Sequence, residues 1–235
     1  MTGRRFIFDL AAGALDCQKI TIAAEADIQY LLIQNDPLDQ DSFRTRQFYL
    51  KENARLELIT LIIGGATSDL IQEVYLQDVG AESLQKIVVI GNGEQKINLV
   101  ANNIHEAVSC RSDIAVKTIL SGTAQSAFNG LIKIKSAAQQ TDAYLRHDAY
   151  VLSDGAKNIT IPGLEIDAND IRASHSASQS QLSSEDLLYL TSRGLIISEA
   201  QQLILEGFVQ PIIERVKEGG ARSKVAALLA HKLRL

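Results

Sequence analysis

Between Arg4 and Ile171 the sequence offers one short β-like segment after another, with nothing patterned as a helical crossover. KITIAA (Lys19–Ala24), YLLIQ (Tyr30–Gln34), RQFYL (Arg46–Leu50), RLELITLII (Arg55–Ile63), LIQEVYLQ (Leu70–Gln77), KIVVI (Lys86–Ile90) and KINLVA (Lys96–Ala101) are rich in β-branched and aromatic residues. Runs at Ile114–Leu120, Phe128–Lys135 and Ala143–Leu152 continue the series. Several alternate apolar with polar, the period of a strand with one buried face. Turn chemistry fills the breaks: Asn35-Asp36-Pro37, Gly64-Gly65 and Gly91-Asn92-Gly93. A recurrence of roughly ten to fifteen residues admits an antiparallel sandwich or barrel, or a parallel β-helix with one or two strands per coil. The lack of a two-residue hairpin series leans toward the solenoid, whose inward residues, such as Ile132 and Ile134, would fill a continuous core.

After Gln181 the period moves from two toward four. Ser183, with Asp186 three residues on, predicts a helix start, and Gly194 a helix stop. Ser198 is placed as the cap of a second helix from Glu199 to about Gln210, with Pro211 kinking or dividing it. Gly219-Gly220 is read as a further break before an amphipathic helix in SKVAALLAHKLRL. The expected architecture is mainly β, with a solenoid over residues 1–181 and a helical subdomain over 182–235. One apolar stripe of the helices is expected to pack on the end of the solenoid.

The 235 residues are 46% hydrophobic and carry a net charge of −5, which argues against wholesale nucleic-acid binding. No apolar run approaches the roughly 20 residues of a membrane span. Asp9 interrupts the N-terminal apolar stretch, so a signal peptide is not expected. The two cysteines, Cys17 and Cys110, make no disulfide framework and suit a reducing cytoplasm. There is no CxxC, GxSxG, Walker A loop or GxGxxG, so independent hydrolase, ATPase or dinucleotide chemistry is not indicated.

Among residues with chemistry to offer, His175 lies in ASHSAS, whose small polar neighbours leave an imidazole accessible; a neutral imidazole binds iron and other borderline metals. On its own it reads as a surface or structural histidine. His105 and Cys110, in NNIHEAVSC, form a second candidate, with Arg111 expected to lower the thiol pKa; the plainer alternative is a buried small hydrophobe. His147 stands beside Asp148, but adjacent strand residues face opposite sides, so no dyad is expected. His231 reads as solvated surface and Cys17 as incidental. Leu187–Leu190 and Leu203–Leu205 are apolar nearly all round, enough for core packing and for a patch that a partner covers.

The stretch from Pro162 to Phe208 carries an ordered set of short matches: P-x-LEI at Pro162–Ile166, Ala168, Asp170 and Ile171, the Ser174-His175 pair, LLYL-x-SRG at Leu187–Gly194, Glu199-Ala200 and Gly207-Phe208. Upstream, Ser112-Asp113-Ile114, Phe128-Asn129-Gly130 and Thr141-Asp142-Ala143 fit the same series. Together they resemble the SufB/SufD family, the scaffold subunits of SUF iron–sulfur cluster assembly. The resemblance implies a right-handed parallel β-helix and a non-enzymatic scaffold that pairs with a SufB-like subunit or with itself. It also implies a SufC-type ABC ATPase docked on the C-terminal helices, through Leu187, Tyr189, Arg193, Gly194, Glu199, Ala200, Gly207 and Phe208. An iron–sulfur cluster would be held transiently at the subunit interface, with His175, and less directly His105 and Cys110, on this chain's side. SufB members carry Cys-x-His at this place; here Ala173 replaces the cysteine, so the chain resembles SufD. Ser176 and Ser178 also depart from the usual residues, and the helical region that precedes the solenoid in longer members is not seen. The other readings are a metal-free solenoid for oligomerisation and a β-helix carbohydrate enzyme, which the absence of Trp for sugar stacking disfavours.

Overall fold

A computed structural model describes residues 4–234 apart from residue 12. Met1, where the N-terminal reading begins, and Leu235, the last residue of the expected final helix, lie outside the described residues. Among the described residues thirteen strands precede three helices. The strands are β1 (Arg5–Leu10), β2 (Leu15–Ile22), β3 (Asp27–Gln34), β4 (Asp41–Leu50), β5 (Arg55–Ile62), β6 (Thr67–Leu76), β7 (Glu82–Gly91), β8 (Lys96–His105), β9 (Arg111–Leu120), β10 (Gln125–Ile134), β11 (Thr141–Val151), β12 (Lys157–Ile166) and β13 (Ile171–Ser180). The helices are α1 (Ser184–Ser192), α2 (Ile197–Ile213) and α3 (Gly219–Lys232).

Odd strands form a seven-stranded sheet, β1-β3-β5-β7-β9-β11-β13, and even strands a six-stranded one, β12-β10-β8-β6-β4-β2. Every pairing is parallel, between strands two apart in sequence. This is a solenoid with two strands per coil, which decides between the architectures the strand spacing left open. The register stacks like positions: Leu58, Gln85, Ile114, Leu145 and His175 form one inward column. Leu70, Leu99 and Phe128 do the same in the facing sheet. Ile132 and Ile134 are fully buried there, as expected.

Polar residues also point inward. Thr60 donates to Gln72 (2.7 Å), Gln72 to Gln85 (2.7 Å) and Gln85 to Asn103 (2.7 Å), so a hydrogen-bonded chain crosses the lumen between the sheets. The chain pairs these buried polar groups with one another, leaving the Asn103 Nδ2 at its end without a partner.

The helices do not pack on the end of the solenoid. Leu205, Val209, Ile212, Val216, Val225 and Leu229 share a core with Leu31, Ile33, Ile59, Leu61, Val88 and Ile119, all on the outer face of the seven-stranded sheet. That cover explains why β3, β5 and β7 are buried on both faces and lose their alternation. Other helix boundaries also move. Ser183 caps α1 as expected, its Oγ accepting from Asp186 N–H at 3.3 Å. Gly194, at φ +99°, closes α1 with Leu195 N–H on Leu190 O and its own N–H on Thr191 O. Ser198, however, does not cap α2: Glu199 accepts the Ile196 N–H at 3.1 Å and moves the start back to Ile197. Pro211 neither ends nor divides α2, which runs on to Ile213. Lys117 donates to the Phe208 carbonyl, in the turn before Pro211. Gly219-Gly220 opens α3 and does not separate it, because the Glu218 carboxylate accepts from Gly220 and Ala221 N–H.

Corner geometry is tight where the coils turn. A Cβ on Gly64 would lie 2.5 Å from Asp36 O and 2.7 Å from Asp36 N, both backbone atoms of the preceding coil. Gly64→Ala is therefore expected to lower stability by about 1–3 kcal/mol, read as a shift in the urea midpoint; an unchanged midpoint would contradict this packing.

Candidate functional site

The coil made by β12 and β13 is the last of the solenoid, and each strand has a neighbour on one side only. β13 (IRASHSASQS) carries no large apolar residue after Ile171, and β-propensity alone does not mark it; pairing with β11 makes it a strand. His175 pairs in register with Leu145, and Ala173 with Ala143, so both occupy inward positions. Because no strand stacks beyond β13 in this sheet, the His175 imidazole crowns the core column and is exposed. On β12, Ile159 and Ile161 are each 59% exposed. The end coil thus combines unpaired strand edges, bare apolar side chains and one accessible imidazole, a surface that a partner's strands could cover.

His147 lies one coil below, in register with Ala177. It is fully buried, its Nε2 2.8 Å from Thr118 Oγ1 and its Nδ1 2.8 Å from Thr160 Oγ1. Asn158 donates to Thr160 (3.1 Å) and to Gln179 on β13 (3.3 Å), so a polar chain runs from the end coil to this imidazole. Each ring nitrogen faces a threonine hydroxyl, which can donate or accept, so both are satisfied with the ring neutral. Burial pushes the ring pKa down to about 4. Asp148 does face away from it, half-buried on the outer side. Period-two counting through Leu145-Arg146-His147-Asp148-Ala149 puts His147 on the inward face, a signal present in the sequence.

His105 and Cys110 lie two coils from His175, at the corner between β8 and β9. Both are fully buried. His105 Nε2 is 2.8 Å from Ser112 Oγ, its Nδ1 has no partner, and burial lowers its pKa to about 4. The Cys110 thiol donates to Asp78 O at 3.3 Å, and burial pushes its pKa up. The expected lowering by Arg111 does not occur: desolvation of an inward thiol outweighs an arginine exposed on the other face. Cys17 is exposed on β2, and His231 is exposed on α3. Among the described residues no three His, Cys, Asp or Glu side chains converge on a metal position.

The helical candidates separate into two groups. Tyr189, Arg193, Gly194, Glu199 and Gly207 are exposed, and α1 buries no residue at all. Leu188, Ile196, Ile197 and Leu203 are also exposed, so α1 and the start of α2 present bare apolar side chains. The Arg193 guanidinium lies 5.3 Å from the Tyr189 ring centroid. Ala200 is buried, and Leu187 lines a cavity of about 520 Å³ with Leu152, Leu182 and Gln201. Phe208 packs on Tyr150 (centroids 4.8 Å apart) under the Lys117 ammonium (4.5 Å), and so fastens α2 to the sheet.

Comparison with known proteins adds what geometry alone does not supply. The profile of the family described as "SUF system FeS cluster assembly, SufBD core domain" matches residues 11–208. The chain is 31% identical over 149 residues to the iron–sulfur cluster assembly protein SufD of Bacillus subtilis, which covers 63% of this chain and 34% of that protein. It is 29% identical over 236 aligned positions to SufD of Escherichia coli, covering 99% of this chain and 52% of that one. An iron–sulfur cluster assembly SufBD family protein of Mycobacterium tuberculosis, Rv1461, is 25% identical over 198 residues, covering 84% and 23%. The chain spans about half the length of these relatives, or less. No helix among the described residues is long and apolar enough to cross a membrane.

Proposed function

We propose that this chain, which belongs to the SufBD core family of SUF iron–sulfur cluster assembly, acts as a non-catalytic, SufD-like scaffold subunit in the cytoplasm. The observation that carries this reading is the end coil: His175 crowning a core column beside two unpaired strand edges. In the proposed assembly a SufB-like subunit, or a second copy of this chain, covers β12 and β13. His175 offers one imidazole to a cluster, the cargo, whose remaining ligands come from the partner. Ala173, inward two residues before His175 on the same strand, supplies no thiolate, which favours a SufD-like role over a SufB-like one.

The apolar surface of α1 and α2 is suited to docking a SufC-type ABC ATPase, since bare Leu188, Tyr189, Ile196, Ile197 and Leu203 are costly to leave in water. ATP-driven closure of two such subunits would then act on the scaffold pair. In this division of labour residues 1–181 form the pairing solenoid and 182–235 the docking subdomain.

Coexpression with SufB-like and SufC-like proteins, followed by size-exclusion light scattering, tests the assembly. A complex containing this chain is expected, and a chain eluting alone would sink the proposal. Within that complex His175→Ala is expected to leave the stoichiometry unchanged and to lower bound iron and sulfide at least ten-fold. Equal iron and sulfide contents in variant and parent would remove His175 from the site.

A further inference from the structure

We propose that Glu57 fixes the α2–α3 connection to the solenoid at β3 and β5, alongside the Phe208 contact that fastens α2 to β9 and β11, so that load on the helices enters through the outer face of the seven-stranded sheet and not at the end coil. Glu57 and Gln29 are each only 1% exposed, paired in register on the outer face of β5 and β3 beneath the α2–α3 connection. The Glu57 carboxylate accepts from Gln29 Nε2 (2.8 Å), Arg4 Nη2 (2.6 Å) and Arg215 Nε. Gln29 in turn holds the connection by its backbone: its Nε2 donates to Arg215 O at 2.8 Å and its Oε1 accepts from Lys217 N–H at 2.7 Å.

This cluster is a polar island bordering an apolar seam. Leu31, Ile59 and Leu61 against Val209, Ile212 and Val216 supply attraction, but aliphatic contacts have no directional preference and allow sliding. A buried carboxylate bonded to two guanidinium groups, with an amide bonded to two backbone groups, has one acceptable geometry and fixes the register of helix on sheet. α1 has no such fastening, burying nothing and joining α2 through Gly194 at φ +99°. The helical region therefore has a free arm and a fixed root. The direction of load rests on the proposed ATPase docking at α1 and α2; the anchor itself does not.

Hydrogen exchange on the purified chain tests the anchor without any partner. In Glu57→Gln, peptides over residues 210–232 are expected to exchange at least ten-fold faster, while those over 111–151 keep their parent rates. Arg215→Met, altering a side chain that is 41% exposed, is expected to act in the same direction, and the double variant no more than Glu57→Gln alone. Unchanged exchange over 210–232, or strictly additive effects, would overturn the anchor. Should Glu57→Gln unfold throughout, with 111–151 also losing protection, Arg215→Met decides by the same criterion. Titration of the parent with a SufC-type ATPase is a separate arm: no binding there removes the docking reading and leaves the anchor to be judged by exchange.

Discussion

Acidification from pH 7 to pH 4 is expected to remove on the order of 6 kcal/mol from the stability of the fold, much of what a domain of this kind possesses. Two buried histidines are the cause. His105 and His147 are fully enclosed, and burial lowers each from an ordinary 6.5 to about 4. The unfolded chain takes up protons near pH 6.5 while the folded chain refuses them until about pH 4. Stability is thus complete above pH 6.5 and falls as pH drops through that window, by about 3 kcal/mol for each histidine. More than half of the loss comes above pH 5, where the carboxylates remain ionised. Urea midpoints at pH 7, 6 and 5 measure it directly. In His147→Gln, which keeps a hydrogen-bonding group between Thr118 and Thr160, the pH dependence should shrink by about half. Identical parent midpoints at pH 7 and pH 5 would show that neither ring is held neutral.

Replacing Arg46 with Met should cost about 3–5 kcal/mol, because it strips the counter-ion from two carboxylates in a confined space. Arg46 is fully buried on β4, one coil in from the end formed by β1 and β2. Its Nε donates to Asp9 at 2.8 Å and its Nη2 to Asp16 at 2.5 Å. Burial alone would lower the guanidinium pKa, but the two carboxylates raise it. Asp9 also accepts from the Tyr30 hydroxyl at 2.6 Å; burial, and then Asp9, raise the Tyr30 pKa. The damage should be local: amides of β1 and β2 lose protection while those of β9 and β11 keep theirs. Adding Asp9→Asn and Asp16→Asn should recover much of the loss, since the penalty is for unpaired charge. A single variant within about 1 kcal/mol of the parent would mean that water already reaches these carboxylates.

The β series, its solenoid leaning and the helical tail were legible because they depend on local pattern. Ile132 and Ile134 could be placed inward by alternation alone. Three things were not legible, each for a non-local reason. Gln72, Gln85 and Asn103 look like outward polar residues, and only the facing sheet turns them into an internal chain. β3 and β5 read as continuous apolar runs, and nothing near them in sequence says that α2 and α3 cover their outer face. β13 has almost no strand signal because its partners lie a full coil earlier. At the candidate site the accessibility of His175 followed from its small neighbours, but its place atop an inward column needed the register. Arg111 misled for Cys110 because proximity in sequence does not tell which face a thiol takes.

The helices that cover the seven-stranded sheet act as a splint, and the splint is short. Their apolar seam grips β3, β5, β7 and β9, with Tyr150 of β11 at its margin, and no residue of β13 joins it. In a stacked array each coil is stabilised by itself and its immediate neighbours, so resistance to opening varies along the axis. The coils under the splint gain a second layer of contacts, whereas the terminal coil has one neighbour and no cover. It is therefore the cheapest part of the solenoid to reshape. The coil that carries His175 can adjust to whatever meets it at small energetic cost, while the rest of the solenoid holds its register.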